Sequence, residues 1–267
     1  MSEMDLSKSY DGLSAYAWDW MGGDEAQADL PFYQRKIQEG GGKALDLACG
    51  TGRHLLRYLR LGLDVEGVDT SEGMLARLRL KAAEQGLRPT VYRQPMESFD
   101  LPHQYRTIFI SGGSFQLLWQ RRDAMQALRR CFQHLEPGGR LLIETFIPSE
   151  AWNPDLDKRL GEENIGEVSI WGPTLLPSGE AVTTQVWMDA IDRFEQVKTD
   201  KRRYELSRDG GIINTELHTL RLRWYFTHEL SLMLENVGFV PVFIHGDYSD
   251  SPATAQSSET VYAATKP

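Results

Sequence analysis

Cysteine is scarce in this 267-residue chain. Only Cys49 and Cys131 occur, too few for a disulfide framework or a four-thiolate metal site, which suits a reducing compartment. Long apolar runs are missing too. The longest strand-like one, residues 239–244, falls far short of the roughly 20 residues that cross a bilayer as a helix. Acidic side chains crowd the first thirty residues, and no basic start leads into an apolar stretch, so no secretory signal is expected. Basic residues are outnumbered, 29 Lys and Arg against 38 Asp and Glu, giving a net charge of −9. That surface repels phosphate backbones and disfavours nucleic acid as a partner. With no repeat and no low-complexity tract, the composition predicts a cytoplasmic globular protein without a membrane or nucleic-acid partner. Its length fits one large domain, or a domain carrying an insertion.

Residues 1–43 read as a helical lead-in. Tyr10, Leu13, Tyr16, Ala17 and Trp20 recur at helical spacing, and a second helix runs from about Leu30 to the glycines at 40–42. From residue 44 the texture becomes alternating strand and helix. Strands are predicted at 44–48, 65–68, 90–93, 107–110 and 140–146, and helices at 53–61, 71–85 and 123–135. Pro137-Gly138-Gly139 reads as a turn. Short connections between such elements imply a doubly wound, mostly parallel sheet. Residues 149–226 differ: Val182, Thr184, Val186 and Met188, then Leu220, Leu222, Trp224 and Phe226, alternate with polar neighbours, and Asp209-Gly210 is a hairpin signal. This segment is expected to be an inserted antiparallel β subdomain. A helix at 227–237 and strands at 239–244 and 260–264 return to the first architecture.

The strongest chemical signal is Asp46-Leu47-Ala48-Cys49-Gly50-Thr51-Gly52, between the first strand and the next helix, where a doubly wound fold takes its ligand. Asp69 ends the following strand, where a carboxylate can accept hydrogen bonds from both hydroxyls of a ribose. A dinucleotide fingerprint needs a third glycine, and Leu55 occupies that place. The run instead resembles the first motif of the class I S-adenosylmethionine-dependent methyltransferases, with Ala48 where glycine is commoner. The resemblance continues in residues 65–75, in Ser98-Phe99-Asp100-Leu101-Pro102, in residues 135–143 and in Gly238-Phe239. It covers roughly residues 44–146 and 227–264. The lead-in and the insertion are similar to those of bacterial small-molecule methyltransferases acting on amines and amino sugars.

The resemblance implies a seven-stranded core of residues 44–148 and 227–267, capped by 1–43, with 149–226 as a substrate or lid subdomain. It implies S-adenosylmethionine as cofactor, S-adenosylhomocysteine as product, and no metal. Carried onto this sequence, Asp46 lies near the methionine amino group, and Ala48, Gly50 and Gly52 make close backbone contact. Asp69 holds the ribose, Thr70 and Met74 wall the adenine, and Met96 and Glu97 flank its other face. Ser111 and Gly112 line the methionine side, and Tyr10 covers the cofactor. Many relatives have an acid where Pro95 stands, which leaves adenine to backbone groups or Glu97. Many also have aspartate at Arg106, a change expected to affect strand packing.

Methyl transfer needs alignment more than acid–base machinery, because the sulfonium is already an activated leaving group. Candidate bases are Glu144, at the C-terminal end of the fifth strand, and His245 with Tyr248. Ser114, Phe115 and Gln116 follow the fourth strand and are expected to face the acceptor, with Tyr16 and other aromatics available to box a small amine. The expected acceptor is a small molecule, by preference an amine nitrogen, with oxygen as the alternative. A nicotinamide-dependent oxidoreductase on the same glycine turn and a non-catalytic S-adenosylmethionine-binding protein are the competing readings. Monomer and homodimer both remain open.

Overall fold

The computed structural model describes residues 10–21, 28–152, 165–176 and 178–267. The chain divides into two compact units, one of residues 25–147 and 224–267 and the other of residues 1–24 and 148–223.

The first unit is built on seven strands: β1 (Ala44–Leu47), β2 (Val65–Asp69), β3 (Val91–Arg93), β4 (Tyr105–Ile110), β5 (Leu135–Thr145), β10 (Val242–Gly246) and β11 (Thr260–Thr265). Their order across the sheet is β3-β2-β1-β4-β5-β11-β10. All neighbours run parallel except β11, which is antiparallel to both β5 and β10. The expected doubly wound, mostly parallel sheet is therefore present. Helices α2 (Asp29–Gly40), α3 (Arg53–Arg60), α4 (Glu72–Glu84), α5 (Arg121–His134) and α6 (Thr227–Val237) cover it.

Alternation along the strands explains why both faces are covered. Successive side chains of a strand point to opposite faces. Ile108 and Ile110 of β4, with Leu141 and Ile143 of β5, join the core beneath α5 and α6. Phe109 and Leu142, between them, join the core with α2, α3 and α4. Both faces being apolar, these strands read as continuous hydrophobic runs.

Several boundaries differ from the sequence reading. Residues 137–139 lie inside β5: Gly138 takes φ +73° and its N–H donates to the Lys266 carbonyl at 2.8 Å. The predicted turn is thus an irregular stretch of a longer strand. Strand β10 starts at Val242, because Pro241 has no N–H to give a ladder. Phe239, fully buried, packs edge-on against Phe132 at 5.1 Å. Arg106 does serve packing, donating to the Pro137 carbonyl at 2.9 Å and to the Gly40 carbonyl at 3.4 Å.

Ser71 caps α4 by accepting the Met74 N–H at 3.0 Å. Ser71→Ala is expected to cost about 1 kcal/mol of stability, as lost caps of this kind do, read as a lower urea midpoint with an unchanged slope.

The second unit holds a four-stranded antiparallel sheet in the order β6 (Ile165–Leu175), β7 (Ala181–Asp192), β8 (Val197–Arg208) and β9 (Gly211–Arg223). Helix α1 (Leu13–Met21) starts with the Leu13 N–H donating to the Glu216 carboxylate at 2.9 Å. Its Leu13 and Ala17 pack on Val182 and Tyr204. Tyr10 precedes this helix instead of lying on it. Asp209-Gly210 does form the β8–β9 hairpin. Trp224 and Phe226 fall beyond the end of β9.

Candidate active site

The C-terminal ends of the parallel strands gather most of the chemistry-bearing residues of the first unit. The turn after β1 returns sharply onto β2: the N–H groups of Ala48 and Cys49 both donate to the Val68 carbonyl, at 2.8 and 2.9 Å. Ala48 takes φ +72°, a left-handed conformation that costs a side chain with a Cβ about 1 kcal/mol or more. That is the physical reason glycine is commoner at this position.

The two motif glycines have different jobs. At Gly50, φ +53°, an added Cβ would meet nothing within 4 Å, so the backbone faces open space. At Gly52, φ +85°, a Cβ would come within 2.9 Å of Leu78 and 3.0 Å of Leu56, so helix packing requires the glycine. Leu55, in the place of a third glycine, is fully buried against Gly67 of β2. The Cys49 thiol also lies over Gly67, and burial beside Asp46 and Asp69 keeps it protonated.

Asp69 accepts the Gly50 N–H on one oxygen at 2.8 Å and the Ser71 N–H on the other at 2.9 Å. The group is partly exposed. Asp46 differs. It is buried, and neither oxygen meets a hydrogen-bond donor at normal geometry. Burial, with Asp69 adding, raises its pKa to about 8, although Arg53 and the Leu55 N–H favour the ionised form. A buried carboxylate without a partner is costly, and an ammonium group would satisfy it.

Around the adenine positions, Thr70 and Glu97 are partly exposed, whereas Met74 and Met96 are buried. Met96 packs with Phe99 and Leu101. A turn at 95–98 follows β3, closed by the Ser98 N–H on the Pro95 carbonyl at 3.1 Å.

Beyond β4, Ser111 is buried and the Gly112 turn, φ +60°, faces space open to an added Cβ. Glu144 is a buried residue of β5. The Tyr33 hydroxyl donates to it at 3.1 Å and the Tyr248 hydroxyl at 2.9 Å, and the nearby Gly112 N–H also favours its ionised form. Burial raises its pKa and these three groups oppose the rise. His245 sits in β10 against Phe32 and Phe243, at 5.3 and 4.6 Å between ring centroids. Its Nδ1 lies 2.9 Å from the Ser249 carbonyl, and burial and Lys36 lower its pKa.

Of the residues expected to face the acceptor, Phe115 is fully buried against Tyr225 at 5.4 Å. Gln116 is also fully buried and exchanges two hydrogen bonds with the Phe146 backbone, at 2.9 and 3.0 Å. Ser114 keeps partial exposure. Tyr10 and Tyr16 belong to the second unit, where Tyr10 meets Trp18 edge-on at 5.5 Å and Tyr16 is exposed.

Sequence reasoning gave Asp29 and Tyr33 of α2 no role of their own in the site. Asp29 of α2 holds Arg53 through two hydrogen bonds, at 3.0 and 2.5 Å, and one of its oxygens lies 3.1 Å from His54 Nε2. Burial would raise the Asp29 pKa, but the hydrogen bonds from His54 and Arg53 outweigh it and hold the carboxyl well below the usual range. The signal was available in Asp29 and Tyr33, four residues apart on one helix face.

Among the described residues no group of three or more His, Cys, Asp or Glu side chains is placed to hold a metal ion, and no helix is long and apolar enough to cross a membrane.

The strand order, the glycine turn after β1 and the acid ending β2 define an enzyme core that takes an adenosine-type cofactor across its strand ends. Comparison with known proteins agrees. Residues 44–139 match the methyltransferase domain family. A glycine/sarcosine N-methyltransferase of Halorhodospira halochloris is 30% identical over 250 residues, covering 93% of this chain and 84% of that protein. Another, from Parasynechococcus marenigrum, is 28% identical over 235 residues, 86% of this chain and 74% of that one. The solved sugar N-methyltransferase of Streptoalloteichus superposes with a TM-score of 0.72 at 20% identity, covering all of this chain and 96% of its own, which speaks for the fold. The chain belongs to the class I S-adenosylmethionine-dependent methyltransferases. It is therefore a methyltransferase and not a nicotinamide-dependent oxidoreductase.

Proposed function

We propose that this enzyme methylates a nitrogen of a small amine. The observation carrying the reading is its 30% identity, over nearly the whole chain, to an enzyme named for glycine and sarcosine N-methylation. The net charge of −9 supports a neutral or cationic acceptor over a polyanion.

The residues present fit the cofactor. The unsatisfied Asp46 carboxylate suits the methionine ammonium. The backbone at Gly50 and Gly112, open where a Cβ would stand, allows close approach. Asp69, partly exposed at the end of β2, is placed to accept from the ribose hydroxyls. Thr70, Met74, Met96 and Glu97 are assigned to the adenine, and Ser111 and Gly112 to the methionine side.

When bound, S-adenosylmethionine supplies a methyl group on a positively charged sulfur, activated for displacement. The chain's part is to align that sulfur and the acceptor, and near-attack positioning can supply most of the acceleration. Glu144 already accepts a hydrogen bond from a tyrosine on each oxygen, so it holds its neighbours in place. Partly exposed Ser114 is left to face the acceptor.

Glycine, sarcosine, amino sugars and matched hydroxy compounds, incubated with purified enzyme and labelled S-adenosylmethionine, test the acceptor. Methyl transfer to at least one amine, and at least tenfold less to its hydroxy analogue, is expected. Transfer to oxygen acceptors alone would overturn the reading.

A further inference from the structure

Helix α2 reaches the turn after β4 along two buried routes. Asp29 and Tyr33, one helical turn apart, start them. On the first route the Asp29 carboxylate lies 3.1 Å from His54 Nε2, and His54 Nδ1 lies 3.3 Å from the Ser111 hydroxyl. The protonation pattern follows from the partners. Asp29 is held ionised by Arg53 and His54 and burial favours the neutral imidazole; a proton on Nε2 then faces the carboxylate at ion-pair distance, although off hydrogen-bond alignment. Nδ1 is left to accept from the Ser111 hydroxyl. On the second route the Tyr33 hydroxyl donates to Glu144 at 3.1 Å, and the Gly112 N–H stands close enough to the Glu144 carboxylate to favour its ionised form. The two routes end on consecutive residues. Asp29, Tyr33, His54, Ser111 and Glu144 are each less than a tenth exposed, so water cannot easily replace a lost partner.

We infer that α2 is a positioning helix for methyl transfer: through Asp29–His54 and Tyr33–Glu144 it fixes the Ser111-Gly112 turn against the methionine half of the cofactor. Tyr33 and His54 are positioning residues, each acting through another group. The inference rests on the assignment of that turn to the methionine side, made under Proposed function.

Arg53 ties the first route to the glycine turn after β1, since it is the residue after Gly52 and forms two hydrogen bonds with Asp29. Tyr248 donates to the other oxygen of Glu144 at 2.9 Å and steadies the second route from the β10 side. A shift of α2 would therefore move the turn after β1 and the turn after β4 together. Neither Tyr33 nor His54 needs to touch the cofactor for its loss to be felt there.

Tyr33→Phe removes one hydroxyl and keeps the ring. Tyr58→Phe is the control: its hydroxyl is equally buried and also grips α2, donating to the Leu30 carbonyl at 2.9 Å, but it lies on neither route. Binding of S-adenosylhomocysteine and of methylthioadenosine, which lacks the amino-acid half, is measured by calorimetry alongside the melting temperature. Tyr33→Phe is expected to raise the Kd for S-adenosylhomocysteine at least fivefold and that for methylthioadenosine less than twofold. Tyr58→Phe should change neither Kd by twofold, even at a larger loss of melting temperature. His54→Asn, which keeps an atom near Ser111 but cannot also reach Asp29, should repeat the Tyr33→Phe pattern. It also serves alone if Tyr33→Phe does not fold. A Kd for S-adenosylhomocysteine within twofold of wild type in the folded variants, or an equal loss in Tyr58→Phe, would overturn the positioning role. Equal losses for both nucleosides would instead overturn the assignment of the turn to the methionine side.

Discussion

Alanine at position 69 is expected to weaken S-adenosylhomocysteine binding by at least tenfold in calorimetry. Two causes add. The ribose hydroxyls lose a charged acceptor, and hydrogen bonds to charged groups contribute about 1.5–3 kcal/mol each. The free protein also loses the group that accepts the Gly50 N–H at 2.8 Å and the Ser71 N–H at 2.9 Å. Those bonds join the glycine turn to the start of α4, so Asp69 shapes the site before any ligand arrives. Asp69→Asn separates the causes. One amide oxygen can keep one backbone donor, so the turn is partly retained while the charge is gone. An intermediate affinity is expected for it. Unchanged affinity in Asp69→Ala would remove Asp69 from the cofactor assignment.

The sheet was readable in the sequence because its strands are buried on two faces. Runs such as Leu141-Leu142-Ile143, between turn residues and amphipathic helices, admit few other structures. The glycine turn was readable because Ala48, Gly50 and Gly52 all take positive φ, and such turns have a narrow residue vocabulary. Strand β8 was not. It is central in its sheet, yet its sequence is Val-Lys-Thr-Asp-Lys-Arg-Arg-Tyr-Glu-Leu-Ser-Arg. Its polar side chains are accommodated by ion pairs, Lys198 with Glu150 at 2.7 Å and with Asp200 at 3.4 Å, so no apolar period survives. The polar network around α2 was hidden for another reason. Asp29, His54, Ser111 and Glu144 are far apart along the chain, on α2, on α3, in the turn after β4 and on β5. Each alone resembles a surface residue, and only the fold brings them under one helix. Phe115 and Gln116 show the converse: position after β4 suggested an open site, but packing and a paired backbone amide claim both side chains.

Asp46 carries the second large effect, and it appears as protons. Burial raises its pKa to about 8, against about 3.9 for an unperturbed aspartate. In the free protein at pH 7 the group therefore keeps its proton, by a margin of about nine molecules in ten at one pH unit below the pKa. The unfolded chain ionises first, so this residue makes the free protein lose stability as pH rises from about 4 to about 8, with no further loss above. A methionine ammonium beside Asp46 reverses the preference, because an adjacent opposite charge favours the carboxylate. Binding of S-adenosylhomocysteine at pH 7 should then release close to one proton. Calorimetry in buffers of different ionisation enthalpy measures that release directly. The affinity should also rise between pH 6 and pH 8 and level off above. Asp46→Asn retains the shape but has no proton to lose, so it should bind more than tenfold more weakly at pH 8 and show no buffer dependence from this site. Proton release that persisted unchanged in Asp46→Asn would place the titrating group elsewhere and sever Asp46 from the ammonium.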